Sequence, residues 1–314
     1  MSVQTARIAV LVPCYNEEAA IGKVVQDFRA VLPQAVVYVY DNNSKDQTAE
    51  RARAAGAVVR KELRQGKGAV VRRMFADIEA DIYVLVDGDD TYDAAAAPEL
   101  IRALVEQGLD IVSGKRIATG SEAYRAGHVL GNWLLTGLTA LMFNAHLSDM
   151  LTGYRIMSRR FVKSFPFTTD GFGIETELTV HAVRLLMPMM EVATKYKERP
   201  AGSVSKLNTW RDGFRILFTI VGLVREERPL FYFTTIALLL ALASLGIGGP
   251  VIVEFFQTGL VPRLPTAVLA TGLMLLAFIA LAAGLTLDSV TRGRWDQKRM
   301  AYLAIEGPQG LRLP

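Results

Sequence analysis

Hydrophobic positions divide this chain into two regimes. Up to about residue 208 they come in short runs separated by polar loops, whereas from about residue 230 to 287 they dominate. In the first regime Arg7 to Val12, Val36 to Tyr40, Val58 to Arg60, Ile82 to Val86 and Asp110 to Ser113 are brief runs rich in β-branched and aromatic residues, which predicts strands. Between them, helices are predicted from about Glu17 to Leu32, from the Asp46-Gln47-Thr48 turn to about Ala55, and from Gly66-Lys67-Gly68 to about Glu79. Asn16 is placed to cap the first of these. Strands and helices alternating at this spacing predict an α/β domain with a parallel sheet and right-handed crossovers. Ile82 to Val86 is nearly all apolar, so it is expected in the middle of that sheet, buried on both faces.

The second regime changes the picture from a globule to a membrane protein. Phe231 to Val253 and Thr266 to Leu287 are each long enough to cross a hydrocarbon core of about 30 Å. Arg225 and Arg228 flank one end of the pair, and Arg292, Arg294, Lys298 and Arg299 flank the other, while the connector from Glu254 to Pro265 carries a single Arg. By the positive-inside rule both flanks are cytoplasmic and the two spans form a hairpin. Such a hairpin is either a bare anchor or also a guide for a lipid. Trp210 to Arg225 has the apolar and basic pattern of an amphipathic helix on an anionic membrane surface. Val129 to Phe143 is too short to span and reads equally as an interfacial segment or a buried helix. The expected organisation is a soluble domain over 1–208, a juxtamembrane amphipathic helix over 209–228, two transmembrane helices over 229–288 and a cytoplasmic tail over 289–314. No role is visible for the polar stretch from Asp296 to Pro314.

Charge and cysteine content remove several function classes. A net charge of +4 without a long basic stripe argues against a nucleic-acid binder. One cysteine, Cys14, excludes an internal disulfide and a Cys-based zinc cluster. His128, His146 and His181 are scattered without the spacing of a metal site. The first residues show no signal-peptide pattern, so the soluble part is expected in the cytoplasm. No Gly-x-Gly-x-x-Gly follows the first strand and no P-loop sequence is present, which argues against a dinucleotide site and a P-loop NTPase.

Chemistry concentrates in the loops that leave the carboxyl ends of the strands. These are Pro13-Cys14-Tyr15-Asn16-Glu17-Glu18, Asp41-Asn42-Asn43-Ser44, Arg64-Gln65-Gly66-Lys67-Gly68 and Asp87-Gly88-Asp89-Asp90-Thr91. In an open α/β sheet, ligands bind at that edge. Taken alone, the acidic loop is either a solvated turn or an oxygen site for Mg²⁺ or Mn²⁺ that could hold a diphosphate. Several polar loops converging on one crevice are harder to explain as solvated turns.

Val12-Pro13-Cys14-Tyr15-Asn16-Glu17-Glu18, Asp41-Asn42-Asn43-Ser44, Lys67-Gly68 and Asp87-Gly88-Asp89, in that order, resemble the motifs of glycosyltransferase family 2. Asp149-Met150-Leu151-Thr152-Gly153-Tyr154-Arg155, Gly171-Phe172-Gly173-Ile174-Glu175-Thr176-Glu177 and Tyr196 to Leu207 look like blocks of its polyprenyl-phosphate branch, which includes dolichol-phosphate mannose synthases. The resemblance covers most of residues 7–225. It implies a GT-A (Rossmann-like) domain that transfers a sugar, with inversion, from a UDP- or GDP-sugar to a polyprenyl phosphate at the cytoplasmic face of a bilayer. The Gln-x-x-Arg-Trp motif of processive members is missing, which argues against polymer synthesis. Two departures stand out. The first acidic pair of the family reads Asp41-Asn42 here, and Thr91 occupies a position where related synthases carry a metal-binding Gln.

By the same resemblance Asp87 and Asp89, with Thr91, would hold the divalent metal. Pro13, Tyr15, Glu17, Asp41, Asn43, Lys67, Asp87, Gly88, Asp89, Arg199 and Lys206 would bind the donor, and Arg116 with Arg125 would grip the acceptor phosphate. A phosphate acceptor needs no strong general base, so Asp89, Asp87, Arg116 and Arg125 are the residues expected to carry catalysis. Two rival readings remain: a membrane glycosyltransferase with a diacylglycerol or glycan acceptor, and a non-catalytic scaffold of the same fold. A homo-oligomer is compatible with any of these.

Overall fold

The computed structural model describes residues 5–118, 137, 148–166, 173–197, 218, 221–309 and 311–313. Strands β1 (Ile8–Cys14), β2 (Val36–Asp41), β3 (Val58–Lys61), β4 (Ile82–Leu85), β5 (Ile111–Ala118), β6 (Arg155–Ser158) and β7 (Met189–Tyr196) form one sheet. Their order is β3-β2-β1-β4-β6-β5-β7, with β4 in the centre and every β4 residue buried. From β3 to β4 the neighbours are parallel, as the alternation of strands and helices requires, with Val10 of β1 paired to both Val37 of β2 and Val84 of β4.

The expectation of a wholly parallel sheet fails at β6. This strand lies antiparallel between β4 and β5, and β5 pairs in parallel with β7. Its sequence hides it, because a short run beginning with Arg155 does not look like a central strand. The Arg155 side chain is nonetheless buried and donates to the carbonyls of Met150 (2.7 Å) and Thr152 (3.1 Å). A buried guanidinium is tolerated where its donors are used in this way.

Helices cover the sheet with regular apolar stripes. Helix α1 (Ile21–Val31) buries Ile21, Val24, Val25 and Phe28, and α4 (Ala97–Glu106) buries Ala97, Leu100, Ile101 and Leu104. Helices α2 (Thr48–Ala54), α3 (Lys67–Asp77), α5 (Arg159–Ser164) and α6 (Ile174–Arg184) complete this unit. Helix α1 begins at Ile21, four residues later than the sequence suggests, and Asn16 does not cap it. Asn16 adopts φ 52° and accepts from the Lys45 amide at 2.8 Å. The amides of Asn16, Glu17 and Glu18 go to Ser44 Oγ (2.9 Å), Thr48 Oγ1 (2.8 Å) and Asp46 Oδ2 (3.2 Å). Those amides are thus committed to the second loop, and the first loop stays non-helical.

The second loop is tied to the third in turn. Asn42 is buried; its amide nitrogen donates to the carbonyls of Glu62 (2.9 Å) and Arg64 (2.8 Å), and its oxygen accepts from Gly66 N (2.7 Å). Asn43, at φ 63°, donates to the Leu63 carbonyl at 2.8 Å. One carboxamide therefore serves as both donor and acceptor, which a carboxylate cannot do.

The chain divides into two compact units, residues 1–216 with 298–314, and residues 217–297. The C-terminal stretch, whose sequence shows no role, closes the rear edge of the first unit, opposite the polar loops. Asp110, fully buried just before β5, accepts from Tyr302 Oη (2.7 Å), Ser158 Oγ (2.6 Å) and the Arg160 guanidinium, which also stacks over the Tyr302 ring. The Ala6 amide donates to the Arg312 carbonyl at 2.9 Å, and Leu311 packs on the core. The second unit holds helix α7 (Pro229–Thr258) and most of helix α8 (Leu264–Leu303), whose last residues belong to the first; both are long and apolar enough to cross a membrane, with 22% and 17% of their apolar stretches buried. Ser244 Oγ donates to the Ala270 carbonyl at 2.7 Å and pins α7 to α8. Phe218 and residues 221–227 are helical; 209–217, 219 and 220 of the expected amphipathic helix, and Val129 to Phe143 apart from Gly137, lie outside the described residues.

Two stability predictions follow from these contacts. Asn42→Asp replaces two donated hydrogen bonds with a carboxylate facing carbonyls, and should cost about 2–3 kcal/mol in unfolding experiments. Tyr302→Phe removes one bond to a buried carboxylate and should cost about 1.5 kcal/mol, read as a fall in Tm of roughly 3–6 °C.

Candidate active site

Strand β4 ends at Leu85, and Val86 carries the chain, still buried, to Asp87. The turn that follows depends on Gly88, because a Cβ there would lie 2.7 Å from Cys14 Sγ and press on Val12 of the neighbouring strand. With no side chain at this point, the acidic loop lies flat against β1, and Asp87 and Asp89 are brought near each other.

Asp89 is buried. Thr91 holds it in place by donating from its hydroxyl (2.6 Å) and its amide (3.3 Å) to Oδ1. Asp90, at φ 57°, receives the Lys23 ammonium at 3.0 Å. Asp87 is paired with the Lys67 ammonium, which also reaches Glu175 at 2.6 Å. Lys67 opens α3 and Glu175 lies in the first turn of α6, so two helix starts meet the end of the central strand. Gly153 closes the other side, since any Cβ there would strike the Asp87 carboxylate. Its amide donates to Tyr92 Oη at 2.8 Å.

Asp87, Asp89 and Glu175 gather around the Lys67 ammonium, and the buried Arg155 guanidinium also acts on Glu175. Burial pushes the Asp87 carboxyl up; Lys67 only partly offsets this, and the charges of Asp89 and Glu175 add to it. Burial also works against ionised Glu175, but Lys67 outweighs it and holds that carboxyl below its ordinary value. Lys67 is drawn both ways: burial lowers its pKa, and the two carboxylates raise it further, so the ammonium stays charged.

The donor set suits a hard divalent cation. Among the described residues no group of three or more His, Cys, Asp or Glu side chains forms a metal cage. A pair such as Asp87 and Asp89 is what Mg²⁺ or Mn²⁺ uses when substrate phosphates and water complete its shell. Thr91 is brought to Asp89, where its hydroxyl orients the carboxylate.

Pro13 lies near the end of β1, Tyr15 and Glu17 follow it, Asp41 ends β2 and Asn43 follows that, so all five lie on the same sheet edge as the acidic loop. Asp41 is buried and accepts from the Ser44 amide at 3.3 Å. Asn43 is turned toward residues 63–65 and supports the third loop. Arg116, in β5, makes a two-pronged pair with Asp149, with Nε to Oδ2 at 2.8 Å and Nη2 to Oδ1 at 2.7 Å, and lies over the Tyr196 ring. Burial disfavours its charge, and Asp149 more than compensates, so Arg116 stays a cation. Arg125, Arg199 and Lys206 lie outside the described residues. Sequence reasoning gave Glu175 and Asp149 no role. Each sits in a block singled out by resemblance, but only the fold brings Glu175 to Lys67 and Asp149 to Arg116.

Comparison with known proteins bears on family and fold. The model of glycosyl transferase family 2 matches residues 9–165. Glycosyltransferase AglJ of Haloferax volcanii is 35% identical over 242 residues, 76% of this chain and 79% of that protein. A dolichyl-phosphate hexose transferase of the same organism is 32% identical over 221 residues, 70% of this chain and 95% of that one. Among solved structures, glucosyl-3-phosphoglycerate synthase of Mycobacterium tuberculosis, crystallised with Mn²⁺, UDP and glucosyl-3-phosphoglycerate, superimposes with a TM-score of 0.56. It is 24% identical, with 70% of this chain and 79% of that chain covered, and the likeness establishes the GT-A fold. Matched by the family model and by relatives along most of its length, this chain belongs to glycosyl transferase family 2 and is a glycosyltransferase.

Proposed function

We propose that this enzyme transfers a sugar, with inversion, from a UDP- or GDP-sugar to a polyprenyl phosphate at the cytoplasmic face of a membrane. The observation that carries the reading is the acidic end of β4, where Asp87 and Asp89 act on each other as a pair of oxygen donors of the kind a divalent cation uses with a diphosphate. A lipid acceptor is supported by the relative named dolichyl-phosphate hexose transferase and by two helices apolar enough to cross a bilayer.

In this reading Asp89 and Asp87 would hold a Mg²⁺ or Mn²⁺, which would supply charge neutralisation for the leaving diphosphate. Pro13, Tyr15, Glu17 and Asp41 line the nucleoside pocket, and Lys67 faces the phosphates. Asn43 acts on the donor through the loop it supports. Arg116, its guanidinium plane fixed by Asp149, and Arg125 hold the acceptor phosphate, a geometry that suits paired charge-assisted bonds. Arg199 and Lys206 close on the donor. The acceptor phosphate is close to a dianion at neutral pH, its second pKa being about 6, so it attacks C1 without a strong base. Catalysis then rests on positioning and charge neutralisation.

Radiolabelled nucleotide sugars incubated with the full-length protein and undecaprenyl phosphate test this directly. A mild-acid-labile labelled lipid is expected from one donor of the panel, and Asp89→Ala should reduce its formation at least a thousandfold, about 4 kcal/mol of transition-state stabilisation, without lowering Tm. Transfer only to diacylglycerol or a glycan overturns the acceptor assignment, and near-normal turnover by Asp89→Ala overturns the metal assignment.

The charge bias puts the α7–α8 connector on the far side of the membrane and both chain ends in the cytoplasm. Thr258→Cys should therefore react with an impermeant thiol reagent added outside spheroplasts. Cys14 is buried, and burial pushes its thiol pKa up, so the native thiol should stay silent. Labelling of Thr258→Cys only after lysis contradicts the hairpin.

A further inference from the structure

Lys67 sits where two demands meet. It neutralises Asp87, a residue that the reading above gives to a divalent cation, and it is also bonded to Glu175 at 2.6 Å. A cation arriving between Asp87 and Asp89 meets an ammonium already in place, and the two positive charges repel. The ammonium needs a second anion nearby, or the incoming metal must work against it. Glu175 is that anion. It lies in the first turn of α6, and its helix is held to α3 by the neighbouring pair of Glu177 with Arg72 at 3.4 Å. The Lys67 stem is fixed at the start of α3, so only its flexible end needs to move between the two carboxylates.

We propose that Glu175 is a positioning residue that accepts the Lys67 ammonium when a divalent cation takes Asp87 and Asp89, so that the site exchanges one cation for another. This rests on the metal reading of Asp87 and Asp89. The exchange keeps the buried cluster from holding two cations on Asp87 at once, and it leaves Lys67 oriented toward the diphosphate that the metal brings. Glu175 then affects metal binding chiefly through Lys67, over and above the direct effect of its charge on Asp87, which distinguishes it from a carboxylate that merely adds negative charge.

The test is Mn²⁺ binding to the full-length protein in detergent, measured by calorimetry and by loss of the free-Mn²⁺ EPR signal, without nucleotide. Glu175→Gln should weaken Mn²⁺ roughly tenfold, the scale of one charge-assisted bond, because Lys67 then stays on Asp87. Lys67→Met should tighten Mn²⁺, and adding Glu175→Gln to Lys67→Met should weaken Mn²⁺ far less than Glu175→Gln does alone. Glu175→Asp, which keeps the charge, should recover most of the affinity, and it carries the comparison if Glu175→Gln does not fold. Equal weakening by Glu175→Gln with and without Lys67 overturns the exchange while leaving the metal site standing. Mn²⁺ binding that is indifferent to Asp89→Asn overturns the metal reading and the exchange with it.

Discussion

Everything in the catalytic unit is arranged around the cost of placing carboxylates at the end of a fully buried strand. β4 has no exposed residue, and the chain leaves it directly into Asp87 and Asp89. Buried like charges that close to one another are unfavourable unless a cation is supplied. The fold supplies one internally, Lys67, brought by the start of α3, and balances that cation with Glu175 from α6. Gly88 and Gly153 are the steric side of the same constraint, because a methyl group at either position would collide with Cys14 or with Asp87 itself.

The loops around this centre are held by backbone groups more than by one another's charges. Loop one spends its amides on the side chains of loop two, and loop two spends Asn42 on the backbone of loop three. The result is a continuous hydrogen-bonded edge along β1, β2 and β3, which can present a nucleotide with preset geometry. This also explains why the second residue of the Asp41-Asn42 pair is an amide. A carboxylate at 42 would face the Glu62 and Arg64 carbonyls with nothing to donate.

The opposite edge is closed by the C-terminus. Asp110, Ser158 with Arg160, and Tyr302 come from three separate stretches of chain and satisfy one another around a buried carboxylate. The sheet thus has one edge where Asp87 and Asp89 gather with Lys67 and Glu175, and a rear edge where the Asp110 carboxylate is held by Ser158, Arg160 and Tyr302. The two apolar helices carry little of their surface into any packed core, as expected of chain that is solvated by lipid.

The sequence by itself determined the alternation of strands and helices, the central position of Ile82 to Leu85, the acidic pair after it and the two long apolar helices, because each is a local pattern of apolar period and turn chemistry. It also carried the family resemblance through motifs whose order survives in one dimension. Tertiary structure alone decided what depends on partners distant in the chain. Asn16 reads locally as a cap, and becomes a loop bridge because Lys45 and Ser44 compete for it. The strand Arg155 to Ser158 reads as too polar to be central, and is central because loop carbonyls absorb its guanidinium. Glu175 and Lys67 are over a hundred residues apart, and the tail residue Tyr302 is further still from Asp110. No periodicity records such pairings, since what selects them is the burial of charge, and burial exists only once the chain has folded.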